Sequence, residues 1–461
     1  MAGPLAPEER VLPTLNADGT RRRIRPKLYK GRYYWARLLT AWGLIASFVA
    51  IPFIRMNGHP LILLDVPARQ FHLFGRTFLA TDGVLLMLLM LSIFLSIIWL
   101  TALVGRAWCG WGCPQTVYME FVFRPIERLF EGGRADQLRI DKKGPNARRI
   151  LKYVAFGLLS VVVGNVFLSY FVGVERLFHW MTEPPMQHAG AFGVMAVTAA
   201  LVFFDFAYFR EQMCTVICPY ARLQSVLLDK RSLVVGYDAR RGEPRSKGKP
   251  VEGSGDCIDC NACVVACPTG IDIREGLQLE CIACTQCADA CDSIMERIGK
   301  PKGLVRYSSQ ETLESGEKSP LLRPRVVLYP LVILIAVSAL VFFGSRQGSA
   351  DVTVLRGIGA PYVLQPEGVQ NQIRIKIENR GSQDREYHIA LEDGGDAKLI
   401  APENPLHVAK GTHETTTVFV LSPKSSFQGG KRMVKFAVRD DGDFKTEVQY
   451  KLLGPFDGDV K

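Results

Sequence analysis

Five stretches of the chain are long and apolar enough to cross a lipid bilayer. A backbone surrounded by hydrocarbon must satisfy its own hydrogen bonds, which a helix does and an isolated strand does not. The sequence therefore predicts a membrane protein with five transmembrane helices, and every other residue must lie in a domain or loop outside the hydrocarbon. The predicted spans are 36–54, 83–104, 150–173, 190–208 and 326–344.

Basic residues are concentrated beside particular spans. Eight Lys or Arg residues lie within 21–37 and ten within 106–152, whereas the loop 55–81 has three and the loop 174–189 has one. Because cytoplasmic loops are enriched in Lys and Arg, this pattern predicts a cytoplasmic N-terminus, two outer loops and an outward C-terminus. Topology thus explains the net charge of +11, and no nucleic-acid partner is predicted.

Eight of the twelve cysteines form two runs with the same spacing, C-x2-C-x2-C-x3-C. Bacterial two-cluster ferredoxins have this spacing, and the fourth cysteine of a run binds the other cluster. A zinc ribbon has no use for the doubled run, and disulfides are rare in the cytoplasm. We therefore predict one 4Fe–4S cluster at Cys257, Cys260, Cys263 and Cys291, and a second at Cys281, Cys284, Cys287 and Cys267.

The residues after the two runs differ. Pro268 follows the first run, whereas Asp292 stands at the corresponding place after the second. Proline at this place aids the turn but is no ligand. The substitution therefore changes the surroundings of a cluster and not its ligand set.

The other four cysteines form two shorter motifs, "CGWGCP" at 109–114 and "CTVICP" at 214–219. In each motif the first cysteine follows a span and the second precedes a proline. Proline keeps the preceding residue out of the helical region and suits the first turn of a new helix. Each motif is thus predicted to be a corner between a span and an amphipathic interfacial helix. Cys113 and Cys218 would lie at helix N-termini, which favour thiolates.

The unit of span, corner and amphipathic helix occurs twice, and both corners are predicted on the cytoplasmic face. This repeat is expected to bring four thiols side by side, at Cys109, Cys113, Cys214 and Cys218. Such a set could bind copper(I), zinc or iron, or could cycle between dithiol and disulfide. The alternative is that these cysteines are small buried residues at tight corners.

An outer loop contains residue types that bind copper. The segment "HWMTEPPMQH" provides His179, Met181, Met186 and His188, whose nitrogen and sulfur atoms are copper ligands in other proteins. The alternative for the same residues is packing at the membrane edge for the methionines and ordinary polar contacts for the histidines.

The chain changes character after the fifth span. Short segments that alternate apolar and polar residues are separated by turn sequences, which predicts an all-β, antiparallel sandwich of immunoglobulin type at 350–461, on the periplasmic side and without cysteine. The other predicted divisions are a basic N-terminal segment 1–35, a membrane domain 36–236, a flexible linker 237–256, an α+β ferredoxin module 257–307, a second linker 308–325 and the fifth span 326–344.

Taken together, these features resemble the cytochrome c oxidase accessory proteins of the CcoG family, also called FixG or RdxA. The resemblance covers essentially the whole chain and rests on "WCGWGCPQTVYME", "CTVICPYARLQ", the paired cluster runs and the C-terminal domain. Membrane polyferredoxins of nitrate and nitrous oxide reduction systems are similar in the twin corners.

The resemblance implies a protein of the bacterial inner membrane that supports assembly of cbb3-type cytochrome c oxidase by reducing copper(II) to copper(I). The implied partners are oxidase subunits or copper-delivery proteins, and the corner cysteines are the candidate catalytic site. Two alternatives stay open: a redox relay linked to quinol or another membrane partner, and a non-enzymatic assembly scaffold whose clusters serve stability or sensing. The electron donor, cytoplasmic or quinol, and the formation of a homo-oligomer are also left open.

Overall fold

The structure, a computed structural model, describes most of the chain. Residues 1–13, 15–21, 57–58, 67–69, 80–81, 145, 221–226, 250, 318–323, 346–347, 382, 393–394 and 456–461 lie outside the described residues. The predicted N-terminal segment 1–35 therefore falls in large part outside them. The same is true of most of the helix predicted after Pro219.

The five predicted spans are all helices in the structure, so this prediction is confirmed. Most of their side chains are apolar and are not covered by other parts of the protein, as expected for surfaces that face lipid. The observed bounds differ from the predicted ones by a few residues because helix ends are the least certain feature of a sequence pattern. The spans are Arg32–Phe53, Gly83–Val104, Ala147–Val172, Ala189–Phe209 and Val326–Ser345.

Short elements connect the spans and build the cytoplasmic module. The short α-helices are Ala107–Trp111, Pro114–Tyr118, Arg124–Glu131, Arg134–Lys143, Val174–Met181, Ala239–Gly242, Ala262–Ala266, Gln286–Arg297 and Gln310–Ser315. Single π-helical turns occupy Met119–Phe123, Asp205–Phe209 and Met213–Ile217. The first seven strands are β1 Arg55–Met56, β2 His59–Pro60, β3 Ile62–Asp65, β4 Gln70–Leu73, β5 Arg76–Leu79, β6 Leu233–Tyr237 and β7 Val305–Ser309.

The third and fourth spans pack closely against each other. A Cβ atom at Gly164 would lie 3.3 Å from the backbone oxygen of Met195 and 3.4 Å from Ala199. Small residues let membrane helices approach in this way. The second span meets the fifth where the Trp99 indole donates to the backbone oxygen of Val326 at 3.2 Å.

The ferredoxin module is larger than the cysteine runs suggest. Strands β6 and β7 pair antiparallel, with Val235 opposite Tyr307. Both ligand runs lie between these two strands in the sequence. The segment 237–256, which was predicted to be a flexible linker, is held by backbone hydrogen bonds. For example, the backbone N–H of Gly255 donates to the backbone oxygen of Pro244 at 2.9 Å. Its Gly, Pro and charged residues form a hydrogen-bonded loop, so its composition did not predict its structure. The second predicted linker likewise begins inside β7 and continues into the helix Gln310–Ser315.

The module also holds the start of the first span. The Asp289 carboxylate, on the helix Gln286–Arg297, accepts from the backbone N–H groups of Tyr33 at 3.1 Å and Tyr34 at 2.7 Å. These are N–H groups that a helix leaves without an internal partner. The side chain that caps the first span therefore comes from the cluster-binding module, which joins the two.

The second compact unit contains the C-terminal domain. This unit covers the described residues of 341–461 together with those of the segments 55–59 and 72–79. Its two antiparallel sheets have the orders β12-β14-β10-β8, with β9 also paired to β10, and β13-β11-β15-β16. The strands are β8 Ala350–Arg356, β9 Val363–Gln365, β10 Gly368–Asn379, β11 Arg385–Leu391, β12 Lys398–Ile400, β13 Leu406–Val408, β14 His413–Ser422, β15 Lys431–Asp440 and β16 Lys445–Leu453.

The core of this domain follows from the alternation seen in the sequence. In β10 the side chains of Ile373, Ile375 and Ile377 are fully buried, and Val418 and Val420 of β14 face the same interior. Residues two apart lie on one face of a strand, so each predicted alternating segment supplies one wall of the sandwich. The all-β prediction for this region is confirmed.

Candidate iron-sulfur and thiol site

The two ligand loops have the same backbone conformation. Positive φ angles occur at Asp259 (49°) and Asn261 (56°) in the first run, and at Ala283 (52°) and Thr285 (59°) in the second. These are equivalent positions, on either side of the second cysteine of each run. Non-glycine residues seldom adopt this region, but alternation of right- and left-handed residues turns successive N–H groups toward one point, as in loops that bind anionic clusters.

Each predicted ligand set lines its own cavity. One cavity is lined by Cys257, Cys260, Cys263 and Cys291. The other is lined by Cys267, Cys281, Cys284 and Cys287, and also touches Cys263. The fourth cysteine of each run thus faces the cavity of the other run. Four sulfur donors around each cavity suit iron–sulfur clusters.

Burial controls the protonation of these thiols. It raises the pKa of Cys263 and Cys284 to about 11 and that of Cys281 and Cys291 to about 12. Since the thiolate is the metal ligand, iron must displace these protons when a cluster binds. All twelve cysteines lie within the described residues, and none is joined in a disulfide.

The two corners repeat in the backbone as well as in the sequence. Gly105 has φ 56° and ψ −130°, and Arg210 has φ 55° and ψ −122°. Each stands four residues before the first cysteine of its motif. A Cβ atom at Gly105 would collide with the backbone oxygen of Leu233, which explains the glycine there. Arg210 is held in the same unfavourable conformation by two 3.0 Å hydrogen bonds to Glu127.

The second cysteine of each corner has the extended conformation expected before proline. Cys113 has φ −64° and ψ 126°, and Cys218 has φ −64° and ψ 111°. Cys113 is the N-cap of the helix Pro114–Tyr118, and the N–H groups of Gln115 and Thr116 lower its pKa. Burial has the larger effect and raises the pKa overall. The expected preference for a thiolate at this helix end is therefore outweighed by desolvation.

Both corners meet the second cluster loop. Cys109 from the first corner and Cys214 from the second pack in one cluster with Ile282 and Cys284. Burial raises the pKa of Cys214 most, and the charges of the three other corner thiols raise it further. All four corner thiols are thus within electrostatic reach of one another, beside the predicted ligand Cys284.

A glycine allows this close approach. A Cβ atom at Gly110 would lie 2.7 Å from Ile282 O and 2.8 Å from the Cα atom of Cys284. The contact is reinforced on its other side, where the Trp111 indole donates to the Tyr307 hydroxyl at 2.8 Å and that hydroxyl donates to Ala283 O at 2.6 Å. The corner "CGWGC" is therefore shaped to the backbone of the cluster loop.

Gly110→Ala is expected to loosen this contact. The new methyl group must displace the loop 282–284, and overpacking of this kind costs about 1–3 kcal/mol. The 4Fe–4S absorbance of the purified protein should therefore disappear at a lower temperature than in the parent. Gly43→Ala in the first span is the matched control, because a Cβ atom there has nothing within 4 Å. Equal loss temperatures for the two variants would contradict the close packing at Gly110.

The outer loop has a different arrangement from the one the sequence suggested. His188 Nε2 is 2.5 Å from Glu183 Oε2, and His179 Nδ1 is 3.3 Å from Glu183 Oε1. Met181 and Met186 are exposed. The two histidines thus share a carboxylate, and the methionines do not join them in a packed site. Across the described part of the chain, no three His, Cys, Asp or Glu side chains are arranged to hold a single metal ion.

Several charged residues at the corners could not be predicted from sequence. Glu127 forms buried ion pairs with Arg25 at 2.6 Å, Arg210 at 3.0 Å and Lys152 at 3.4 Å. Burial alone would raise the pKa of Glu127, but these cations hold it well below its usual range. In the sequence the cations count only as basic flanks of the spans, since no local pattern distinguishes a buried cation from an exposed one.

Three family models match the chain. A "4Fe-4S dicluster domain" matches residues 209–310, a "4Fe-4S binding domain" matches 86–132, and an "IG-like fold at C-terminal of FixG" matches 340–455. The first two include both corners as well as the ligand runs. The corner cysteines therefore lie in sequence regions that iron–sulfur proteins share.

Curated relatives match over nearly the whole chain. Protein RdxA of Cereibacter sphaeroides is 32% identical over 448 residues, covering 91% of this chain and 93% of the relative. Nitrogen fixation protein FixG of Rhizobium meliloti is 31% identical, with 93% and 92% covered. The solved structure of a FixG-related protein from Vibrio parahaemolyticus covers 23% of this chain and 98% of its own, with 17% identity and a TM-score of 0.21.

The family predicted from the sequence is thus confirmed, as are the five spans, the 4Fe–4S binding regions and the C-terminal domain. The chain belongs to the FixG/RdxA family and is a membrane iron–sulfur electron-transport protein.

Proposed function

We propose that this protein is a cupric reductase. In this proposal one-electron donors reduce the two 4Fe–4S clusters, and each electron passes to one copper(II) ion at the four corner thiols. These thiols would have to draw together around the ion, because no three of them are placed to hold a metal in the described structure. The copper(I) produced is delivered for assembly of cbb3-type cytochrome c oxidase, through oxidase subunits or copper-delivery proteins.

The contact of both corners with one cluster loop carries the proposal. Cys109 and Cys214 come from different halves of the membrane domain, yet both belong to one packed cluster with Ile282 and Cys284 of the second ligand loop. An electron on the second 4Fe–4S cluster would therefore start from a loop that packs against both corners. Soft thiolates favour copper(I) over copper(II), so the same sulfurs suit the product of the reduction.

The ligand sets are part of the proposal. Cys257, Cys260, Cys263 and Cys291 would hold the first cluster, and Cys267, Cys281, Cys284 and Cys287 the second. The cavities lined by these sets support the assignment. When bound, the clusters would supply one-electron chemistry, while the chain orients them.

The orientation is also proposed. The basic flanks favour a cytoplasmic N-terminus and ferredoxin module, with the C-terminal domain in the periplasm of a bacterial inner membrane. A reporter inserted near Ser254 should be active only in the cytoplasm, and one fused after Lys461 only in the periplasm. Reporters that agree on one compartment would contradict an odd number of spans between them.

Oxidation of the reduced protein tests the function. Anaerobically purified protein is reduced with dithionite, freed of excess reductant and mixed with copper(II). Each copper(II) ion takes one electron, so one reduced cluster should be reoxidised for every copper(I) formed. Zinc(II) is the control, since it binds thiolates but has no redox chemistry.

A short-chain quinone is added in a parallel sample. Fast oxidation by quinone with none by copper would replace the proposal with a quinol-linked relay. Oxidation by neither would leave an assembly scaffold with structural or sensing clusters. Copper-dependent oxidation that zinc cannot reproduce is the result that supports a cupric reductase.

A further inference from the structure

At the first cluster site, the positive charge is paired with carboxylates. Arg274 lines its cavity, but this guanidinium is bound by two carboxylates, with Nη1 2.5 Å from Asp259 Oδ1 and Nη2 2.5 Å from Asp272 Oδ2. Asp292 directly follows the predicted ligand Cys291 and lies 3.9 Å from the exposed Arg32. Close to this site, carboxylates therefore outnumber the cation that faces the cluster.

Two buried arginines without a salt bridge lie at the second cluster site. Arg37 of the first span is 1% exposed, its Nε donates to Gly110 O at 2.9 Å, and both of its Nη atoms have no partner among the described residues. Arg106, which precedes the first corner, is 5% exposed and donates to Leu279 O, and its Nε has no partner among those residues either. Among the described residues neither arginine is in a salt bridge. The carboxylates whose charges act on Arg37 are those of Glu120 and Asp289, and Glu120 is itself paired with Arg124 and Arg128.

Both arginines lie against the second ligand loop. The Gly110 carbonyl that binds Arg37 belongs to the residue packed on Ile282 and Cys284. Leu279, which binds Arg106, stands two residues before the ligand Cys281. Arg37 is the cation whose charge acts on Cys284, and the buried Glu120 carboxylate acts on the same sulfur with the opposite sign. The membrane domain thus contributes two buried cations to one cluster site of the module.

We propose that Arg37 and Arg106 give the second cluster the higher reduction potential, so that it is the electron exit toward the corners. A cluster with four thiolates is anionic and gains one more negative charge on reduction. Nearby buried cations stabilise that charge strongly because the local dielectric is low, and net charge and hydrogen bonds to sulfur are known to set cluster potentials. Electron transfer between the sites is balanced: the first cluster loses one electron and the second gains it.

The order of potentials is independent of the electron acceptor. Only the direction of flow, from the first site through the second to the corner thiols, rests on the proposed cupric reductase function. A protein that fails to reduce copper could still have the predicted order, and one that reduces copper could lack it. The two ideas are therefore tested separately.

Redox titration of the purified protein, followed by electron paramagnetic resonance, tests the proposal without copper. The parent should show two one-electron steps. In Arg37→Gln the higher-potential step should move down by at least a tenfold change in the reduction equilibrium, about 59 mV, and the lower step should stay in place. Arg37→Lys, which keeps the charge, should restore most of the difference.

If Arg37→Gln purifies without clusters, two further variants still test the order of the two reduction potentials. Arg106→Gln should lower the same step. Asp259→Asn, at a more exposed position, removes a carboxylate from the first site and should raise the lower step instead. Arg139→Gln is the control: Arg139 pairs with Asp136 at 3.5 Å on the exposed surface of the helix Arg134–Lys143, and its loss should move neither step. Movement of the lower step in the arginine variants, or of neither step, would overturn the proposal.

Discussion

Serine in place of Cys214 is expected to lower the rate of copper(II) reduction, per reduced cluster, by about 10- to 100-fold. Serine is close to cysteine in size but lacks the soft, ionisable sulfur that binds copper(I). Cys214 is not in either predicted cluster ligand set, so both 4Fe–4S signals should persist. Copper-dependent oxidation of the dithionite-reduced clusters, followed by absorbance, measures the effect.

Thr215→Ser is the matched control, because it is a conservative change on the same π-helical turn. Serine at Cys109, Cys113 or Cys218 should repeat the loss seen at Cys214 if the four thiols act as one site. The free energy of unfolding should change by about 1 kcal/mol, as for an ordinary substitution. If all four variants reduce copper at the parental rate per cluster, the thiols are only packing residues at corners.

Iron analysis of the same proteins separates copper chemistry from iron chemistry at the corners. Two 4Fe–4S clusters account for about eight iron atoms, and the Cys214→Ser protein should keep all of them. A parent with about twelve iron atoms, of which the variant loses about four, would instead identify the corner thiols as ligands of a third cluster.

The parts of the molecule that sequence predicts well are those with a repeated pattern. Five long apolar stretches have one structural solution in a bilayer, and two identical cysteine runs have one cofactor that fits their spacing. Alternation in β10 and β14 likewise determines which side chains enter the core. In each case every residue of the element carries the same signal, so that local errors at the ends do not change the conclusion.

The contacts between elements could not be predicted because no sequence pattern carries them. In the sequence, Arg37 is one of the basic residues that predict the topology. In the structure its side chain is buried and donates a hydrogen bond to the backbone oxygen of Gly110. Gly110 lies within a predicted corner, yet its role is to allow the close approach of a loop more than 170 residues away in the sequence. The segment 237–256 has the composition of a linker, but its backbone hydrogen bonds lie within the module. Tertiary partners decide each of these cases, and they lie far away in the sequence.

The fourth cysteine of each ligand run lines the cavity of the other run. This exchange predicts which pairs of cysteines bind the same cluster. Cys291 belongs to the second run by sequence but lines the cavity of Cys257, Cys260 and Cys263. The double variant Cys257→Ala/Cys291→Ala should therefore lose one cluster and retain about four iron atoms. Cys284→Ala/Cys291→Ala removes a ligand from each cluster and should retain almost no iron.

Alanine is the better substitute here, because a serine oxygen can replace cysteine sulfur on iron and hide the loss. The two double variants contain the same number and kind of substitutions, so a general loss of stability would affect them alike. If each run held its own cluster, the outcome would be reversed: Cys284→Ala/Cys291→Ala would keep one cluster and Cys257→Ala/Cys291→Ala none. Non-additive loss of this kind is the mark of residues that share a partner. The iron content of two proteins thus decides whether the helix Gln286–Arg297 links the two clusters, as the position of Cys291 in the first cavity requires.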